Sequence, residues 1–420
     1  MDNVTTPTNE LSERISAAAL KLEDKVIAWR RDIHEHPELS YQETRTAALA
    51  AEHLKQLGIE VRTGVGVTGV LGILKGGKPG PVVALRADMD ALPVEERVDV
   101  PFKSTAKAQW LGQTVPVMHA CGHDAHVAIL MGVAEVLAGM REEIAGTVTF
   151  LFQPNEEGAY DGRPSGAQAM IDDGALANPK PSAIFGLHVT SAQASGVIAL
   201  RPGGLMASAD SLKIKIHGRQ THGSSPWRGV DPVVTAAQII LALQTIPSRQ
   251  LDATLTPSVL TISMVHGGVR ANIIPDTLEM QGTIRTHDEA VRADIWKRME
   301  KTATAIAESQ GARAEVKVQE GVPVTYNDPP LTAWGTRSLG RGVGEERVTE
   351  SRPVMGAEDF SFLAQQVPGM FFFLGVTPPG EDPREAPANH SPLFHIHEPA
   401  LKYGVRSLAY LAIDYLRRGA

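Results

Sequence analysis

The 420-residue chain has a single cysteine, Cys121, so no intrachain disulfide can form. A reducing compartment suits such a chain, and a disulfide-free periplasmic protein is also consistent with it. It has no apolar run of the ~18 residues that a membrane helix needs, so no membrane association is expected. Nor is there a basic surplus: 40 Lys and Arg face 48 Asp and Glu, for a formal charge of -8. That speaks against a nucleic-acid partner held by a general basic surface. The opening MDNVTTPTNELSER lacks the basic start and apolar stretch of a secretory leader. A cytoplasmic protein is therefore expected, with the periplasm open if a leader was removed. Internal repeats and low-complexity segments are also missing.

What the chain does have is ordinary globular material, 43% hydrophobic and 21% charged residues. At ~150 residues per domain, its length predicts two or three domains. Residues 1–10 read as a polar tail. Helical spacing of apolar residues runs from Leu11 to Ile33 and ends before Pro37. Ser40-Tyr41-Gln42-Glu43 has the pattern of a capping box opening a second helix that ends near Gly58. Short β-branched runs follow at Val67–Leu74 and Val82–Ala87, with a turn over residues 76–81 between them. An apolar helix is expected over Ala125–Met140, and buried strands over Thr147–Gln153 and Ala183–Val189. Strands alternating with helices indicate an α/β layer.

The pattern changes after Arg201-Pro202-Gly203-Gly204. Strands are expected at Ser211–His217, Ser258–Val265, Thr277–Thr286 and Ala314–Val324, and helices at Pro232–Thr245 and Ala290–Ser309. Alternating faces in this mixed order indicate an α+β insert with an antiparallel sheet. The α/β character returns from about residue 325, with a strand at Met370–Val376 and a closing helix at Ala400–Arg418. The reading is an α/β domain with a central mixed sheet over 11–206 and 322–420, interrupted by a smaller α+β domain over 207–321.

Ligand-capable residues gather where the strands of the α/β part end, the edge at which open α/β sheets bind ligands. The first cluster is Arg86-Ala87-Asp88-Met89-Asp90, which on its own is equally a strand exit with a local Arg–Asp pair. The second is His119-Ala120-Cys121-Gly122-His123-Asp124-Ala125-His126. Cys121 and His123 are a thiolate donor and an imidazole two residues apart, a spacing that suits metal ligation. A buried cysteine before a helix capped by Asp124 is the plainer alternative. The third is Asn155-Glu156-Glu157-Gly158; adjacent carboxylates repel, so burying both requires a cation, whereas an exposed acidic turn requires nothing. His188 and His390 sit at another strand end and in a late loop, and each alone reads as an ordinary histidine. Together, Cys121, His123, Glu157, His188 and His390 offer five donors. A single tetrahedral zinc uses three or four protein ligands, so five donors and a spare glutamate fit two metals sharing a water. In the insert, His222, Asn272 and Arg285 stand out; an arginine fork and an amide suit carboxylate recognition.

These residues, in this order, resemble the dinuclear-metal peptidase and amidohydrolase family of aminoacylases, hippurate hydrolases and plant auxin-conjugate amidohydrolases. The stretches are RRDIHEHPEL, RADMDALP, MHACGHDAH, PNEEG, GLHV, NIIPDT, MGAEDF and NHSP, and they span nearly the whole chain. The resemblance implies a catalytic α/β domain holding two divalent ions, and an inserted lid that also dimerises. It implies Cys121, His123, Glu157, His188 and His390 as ligands, Glu156 as general base and acid, and Asp90 as a carboxylate that orients a ligand. It implies that His222 reaches the partner's active site and stabilises the oxyanion. Asn272 and Arg285 would hold the substrate carboxylate, in a pocket lined by the Gly356 loop. The expected substrate is an N-acyl amino acid or a small peptide-like conjugate, with an aminopeptidase or dipeptidase as the alternative. Where many relatives bridge the metals with an aspartate, this chain has Cys121. Zinc or manganese is expected there, with cobalt and nickel also compatible. The alanine common before the glutamate pair is replaced by Asn155.

Overall fold

The computed structural model describes residues 6–418. These divide into two compact units. The larger comprises the chain up to Gly203, Asn327–Arg352 and the stretch from Phe362 onward; the smaller comprises Gly204–Tyr326 and Pro353–Ser361.

The larger unit is built on an eight-stranded mixed sheet. Its spatial order is Glu60–Val65, Gly69–Lys75, Ala145–Gln153, Lys78–Asp88, Ala183–Ala194, Gly369–Thr377, Ile198–Leu200 and Val348–Glu350. The four strands at its centre run parallel. They are near-continuous apolar runs such as Val82–Ala87 and Met370–Val376, as expected of strands covered on both faces. Helices His123–Ala138 and Leu401–Arg417 pack on each other and on strand Lys78–Asp88, around Leu85, Val133, Phe150 and Leu408. Parallel pairing brings the carboxyl ends of the central strands to one edge.

Several local expectations change. The tail expected over 1–10 is partly helical, because a helix begins at Thr6; residues 1–5 lie outside the described ones. The single helix expected over Leu11–Ile33 is two, Thr6–Lys21 and Glu23–Glu35, parted at Leu22. The turn over 76–81 is shorter, since the next strand starts at Lys78. The apolar helix starts at His123, not Ala125, so one candidate ligand sits in its first turn. The hairpin Lys107–Trp110/Gln113–Pro116 and the helix Pro329–Val343 were not foreseen. Nor is Ser40–Glu43 a capping box: the helix starts at Thr44, and neither side chain caps it.

The smaller unit is a four-stranded antiparallel sheet in the order Ser258–Gly267, Thr277–Thr286, Ala209–His217 and Arg313–Val322, with helices Pro232–Leu243 and Glu289–Ser309 packed against it. Along Ala209–His217 the buried positions are Asp210, Leu212, Ile214 and Ile216, the period of two expected of a half-buried strand. Asp210 is itself buried, and it is satisfied by Arg292 Nε at 2.9 Å, Trp296 Nε1 at 3.2 Å and the Gly321 N–H at 3.0 Å. No helix among the described residues is long and apolar enough to cross a membrane.

Candidate metal centre

Gly122 separates Cys121 from His123 at φ 92°, where a Cβ would lie 2.4 Å from Val189 Cγ2. Only glycine fits, and its turn starts the helix at His123. Cys121 Sγ then lies 3.3 Å from His188 Nε2 and 3.2 Å from His390 Nε2, residues 67 and 269 positions away. His390 Nε2 is also 3.2 Å from Glu157 Oε1, and His123 Nε2 is 3.9 Å from that same oxygen. The five donors therefore form two groups of three that share Cys121: Cys121, His123 and His188, and Cys121, Glu157 and His390. Within each group the ligand atoms lie within 4.8 Å of one another.

His188 is oriented by its other ring nitrogen, as metal-ligating histidines usually are. His188 Nδ1–H donates to the Val189 carbonyl at 2.7 Å, leaving Nε2 to face Cys121. His123 Nδ1 is 3.3 Å from Asp90 Oδ1, and neither ring nitrogen makes a hydrogen bond among the described residues. The His390 loop is tied down by its own N–H to the Ala120 carbonyl at 2.7 Å. Asn389 Nδ2 reinforces it, donating at 3.0 Å to the carbonyls of Cys121 and Val189.

The electrostatics disfavour a bare thiolate. Burial, then the charges of Glu157, Glu156 and Asp88, push the Cys121 thiol well above its usual range. A dication held there would reverse that balance and favour the thiolate. Soft sulfur, imidazole and carboxylate donors with an unsatisfied buried imidazole nitrogen fit divalent transition metals.

Asp90 is buried beneath the glutamate pair. It accepts from Ser40 Oγ at 2.6 Å, from the Glu156 N–H at 3.1 Å and from the Glu157 N–H at 3.0 Å. Burial opposes its ionisation, but the adjacent His123 ring and the hydrogen bonds from Ser40 and the Glu157 N–H bring its pKa below the ordinary value. Asp88, two residues earlier, takes the Arg–Asp pairing seen in the sequence, with Arg86 Nη1 at 2.7 Å. It also meets His126 Nδ1 at 2.5 Å. His126 Nε2 accepts the Val189 N–H at 2.8 Å, so Nδ1 carries the proton of this neutral ring. Asp124 neither caps the helix nor reaches a ligand; it pairs with Arg30 Nε at 2.7 Å and His34 Nδ1 at 2.8 Å. Asp88 and His126 were missed as a pair, although the i, i+3 spacing of His123 and His126 placed both on one helix face.

A cavity of about 360 Å³ opens onto Glu157 and His390. Leu92, Pro93, Trp110, Leu111 and Tyr160 give it an apolar wall. Trp110 belongs to the unforeseen hairpin and meets Tyr160 edge to face at 5.6 Å.

The remaining candidates lie in the smaller unit. His222 and Asn272 come together there: strands Thr221–His222 and Ile273–Ile274 pair, and the Gly223 N–H donates to the Asn272 carbonyl at 2.8 Å. Both side chains are exposed. The Ser224 N–H donates to His222 Nδ1 at 3.1 Å. Arg285 is half-buried on strand Thr277–Thr286, opposite Val259. Gly356 is exposed, and its carbonyl accepts the Ala207 N–H at 2.9 Å.

Residues 84–414 match the sequence profile of peptidase family M20/M25/M40. The chain is 45% identical to thermostable carboxypeptidase 2 of Saccharolobus solfataricus, covering 97% of this chain and 99% of that protein. It is 38% identical to an IAA-amino acid hydrolase of Arabidopsis thaliana, covering 94% and 86%. The crystal structure of a Bacillus subtilis protein described as a dinuclear metal binding peptidase of the M20 family superposes with a TM-score of 0.80 at 34% identity, covering 94% of this chain and 99% of that one. The chain thus belongs to peptidase family M20/M25/M40 and is a metal-dependent amide hydrolase.

Proposed function

We propose that the chain hydrolyses the amide bond of N-acyl amino acids or related small conjugates, with Glu156 as general base and acid. The observation that carries this is the pair of three-donor groups sharing Cys121, with Glu156 held next to them by Asp90. Cys121, His123, Glu157, His188 and His390 hold two divalent ions, zinc or manganese, with cobalt or nickel as substitutes. Ions held there would supply polarisation of the scissile carbonyl and acidification of a water toward a pKa of ~7. Glu156 takes the proton from the attacking water and delivers it to the leaving amine. Asp90 keeps His123 in the tautomer that presents Nε2, and fixes the backbone of both glutamates.

The apolar cavity next to Glu157 and His390 suits the acyl group. Arg285 and Asn272 hold the substrate carboxylate, and the Gly356 loop lines its pocket. His222 Nε2–H donates to the oxyanion in the partner's active site. The test is free-amine release from N-acyl amino acids, their methyl esters and unblocked dipeptides, with chelated enzyme before and after metal is restored. The expected result is metal-restored cleavage of the blocked acids, with the esters much poorer. Cleavage confined to unblocked dipeptides would favour the aminopeptidase reading, and equal rates on acids and esters would remove the carboxylate clamp.

Homodimerisation through the smaller unit is part of this reading. Strand Ser258–Gly267 is an edge strand with Val259, Met264 and Val265 exposed. The helix packed beside it, Pro232–Leu243, exposes Val233, Val234 and Leu241. An apolar strand edge with an apolar helix beside it is a surface that water leaves poorly satisfied. Light scattering is expected to give the mass of a dimer; an active monomer would remove the trans role of His222.

A further inference from the structure

Ser40 and Glu43 have the sequence of a helix cap, yet neither caps the helix. Both side chains turn instead toward the loop that carries Glu156 and Glu157. Ser40 Oγ donates to Asp90 Oδ2 at 2.6 Å. Glu43 is fully buried, and its Oε1 accepts two backbone N–H groups, from Tyr41 at 2.8 Å and from Asn155 at 2.9 Å. Its Oε2 accepts from Thr68 Oγ at 2.6 Å.

Those two backbone donors share a feature. Tyr41 has φ 61° and Asn155 has φ 48°, both left-handed and neither glycine. Such a conformation is strained for a residue with a side chain and persists only where its surroundings over-determine it. A single carboxylate oxygen receives both. The consequence runs along three consecutive amides: Asn155 N–H goes to Glu43, Glu156 N–H to Asp90 Oδ1 and Glu157 N–H to Asp90 Oδ2. Pro164 closes the loop from outside, its carbonyl accepting from Tyr41 Oη at 2.7 Å and Asn155 Nδ2 at 3.1 Å.

We infer that Glu43 is a positioning residue for Glu156: it holds Asn155 left-handed, so that the next two amides meet Asp90 and the Glu156 carboxylate is presented at a fixed place. This rests on Glu156 being the base. Placement matters at this level because a 1 Å error at a reacting group costs on the order of 10²-fold in rate. The side chain never meets substrate; it acts through the backbone of the loop.

The test compares Glu43→Leu and Glu43→Gln in the full chain at saturating manganese or zinc, with bound metal counted, because Glu157 shares the loop. Glu43→Leu removes the acceptor while filling the space, and is expected to lower kcat by about 10²-fold with KM within about threefold. Glu43→Gln keeps an oxygen for both N–H groups and an amide for Thr68, and is expected to restore most of kcat. A metal-replete Glu43→Leu enzyme with kcat within about threefold of wild type overturns the inference. So does a Gln variant as slow as the Leu variant. If Glu43→Leu does not fold, Thr68→Val, which removes one donor to the same carboxylate, must lower kcat severalfold; an unchanged kcat overturns the inference. Glu156→Gln run in parallel separates the two readings. If it keeps turnover, the base assignment itself is wrong. If it is inactive while Glu43→Leu is normal, only the positioning role falls.

Discussion

Glu156→Gln is expected to lower kcat by about 10²–10⁴-fold, the contribution typical of a positioned general base, while bound metal and KM stay near wild type. The expectation follows from a division of labour within the pair. Glu157 Oε1 lies 3.2 Å from His390 Nε2 and belongs to a three-donor group with Cys121. Glu156 is not needed to complete either of the two groups that share Cys121. An amide cannot accept the proton of the attacking water, yet it fills the same space and leaves the N–H to Asp90 untouched. Rate measurements with metal analysis on the same samples check this. Near-normal turnover would sink the assignment, and loss of metal together with activity would move Glu156 among the ligands.

Cys121→Ala is expected to abolish activity and to lower metal content at both positions, because Cys121 is the donor common to the two groups. His188→Ala, by contrast, removes a donor from one group only and should leave part of the metal in place. Elemental analysis of the three proteins after equal exposure to metal gives the comparison. A second readout is absorption of the cobalt-loaded protein, where a thiolate-to-metal band should be present in wild type and absent in Cys121→Ala. The thiol needs the cation to ionise, since burial and the neighbouring Glu157, Glu156 and Asp88 charges otherwise hold it protonated. Full metal occupancy in Cys121→Ala would mean that the sulfur is packing rather than ligand.

Much of the architecture was legible because periodicity and burial are local signals. The strand at Thr147–Gln153 and the alternation in Ser211–His217 follow from side-chain spacing, and the structure places strands over both. Boundaries were less legible. The break at Leu22 has no proline or glycine to announce it, and the start of the apolar helix at His123 depends on Gly122 and the Val189 side chain packed against it. Hairpin Lys107–Trp110/Gln113–Pro116 was invisible because its strands are only four residues each and carry no long β-branched run.

By itself, the amino-acid sequence determined the chemistry on offer: one thiol, four further donors and a spare glutamate, in an order that resembles a known family. Which donors meet was decided only by the tertiary structure. Cys121 finds His390 across 269 residues because the His390 N–H and the Asn389 amide donate to the carbonyls of Ala120 and Cys121. The Ser40–Glu43 stretch shows the limit most plainly. A serine hydroxyl and a glutamate carboxylate satisfy amide donors equally well at a helix start or in a distant loop. The pattern names the acceptors, but only the packed chain brings the Asn155 N–H, rather than the helix's own, within 2.9 Å of Glu43.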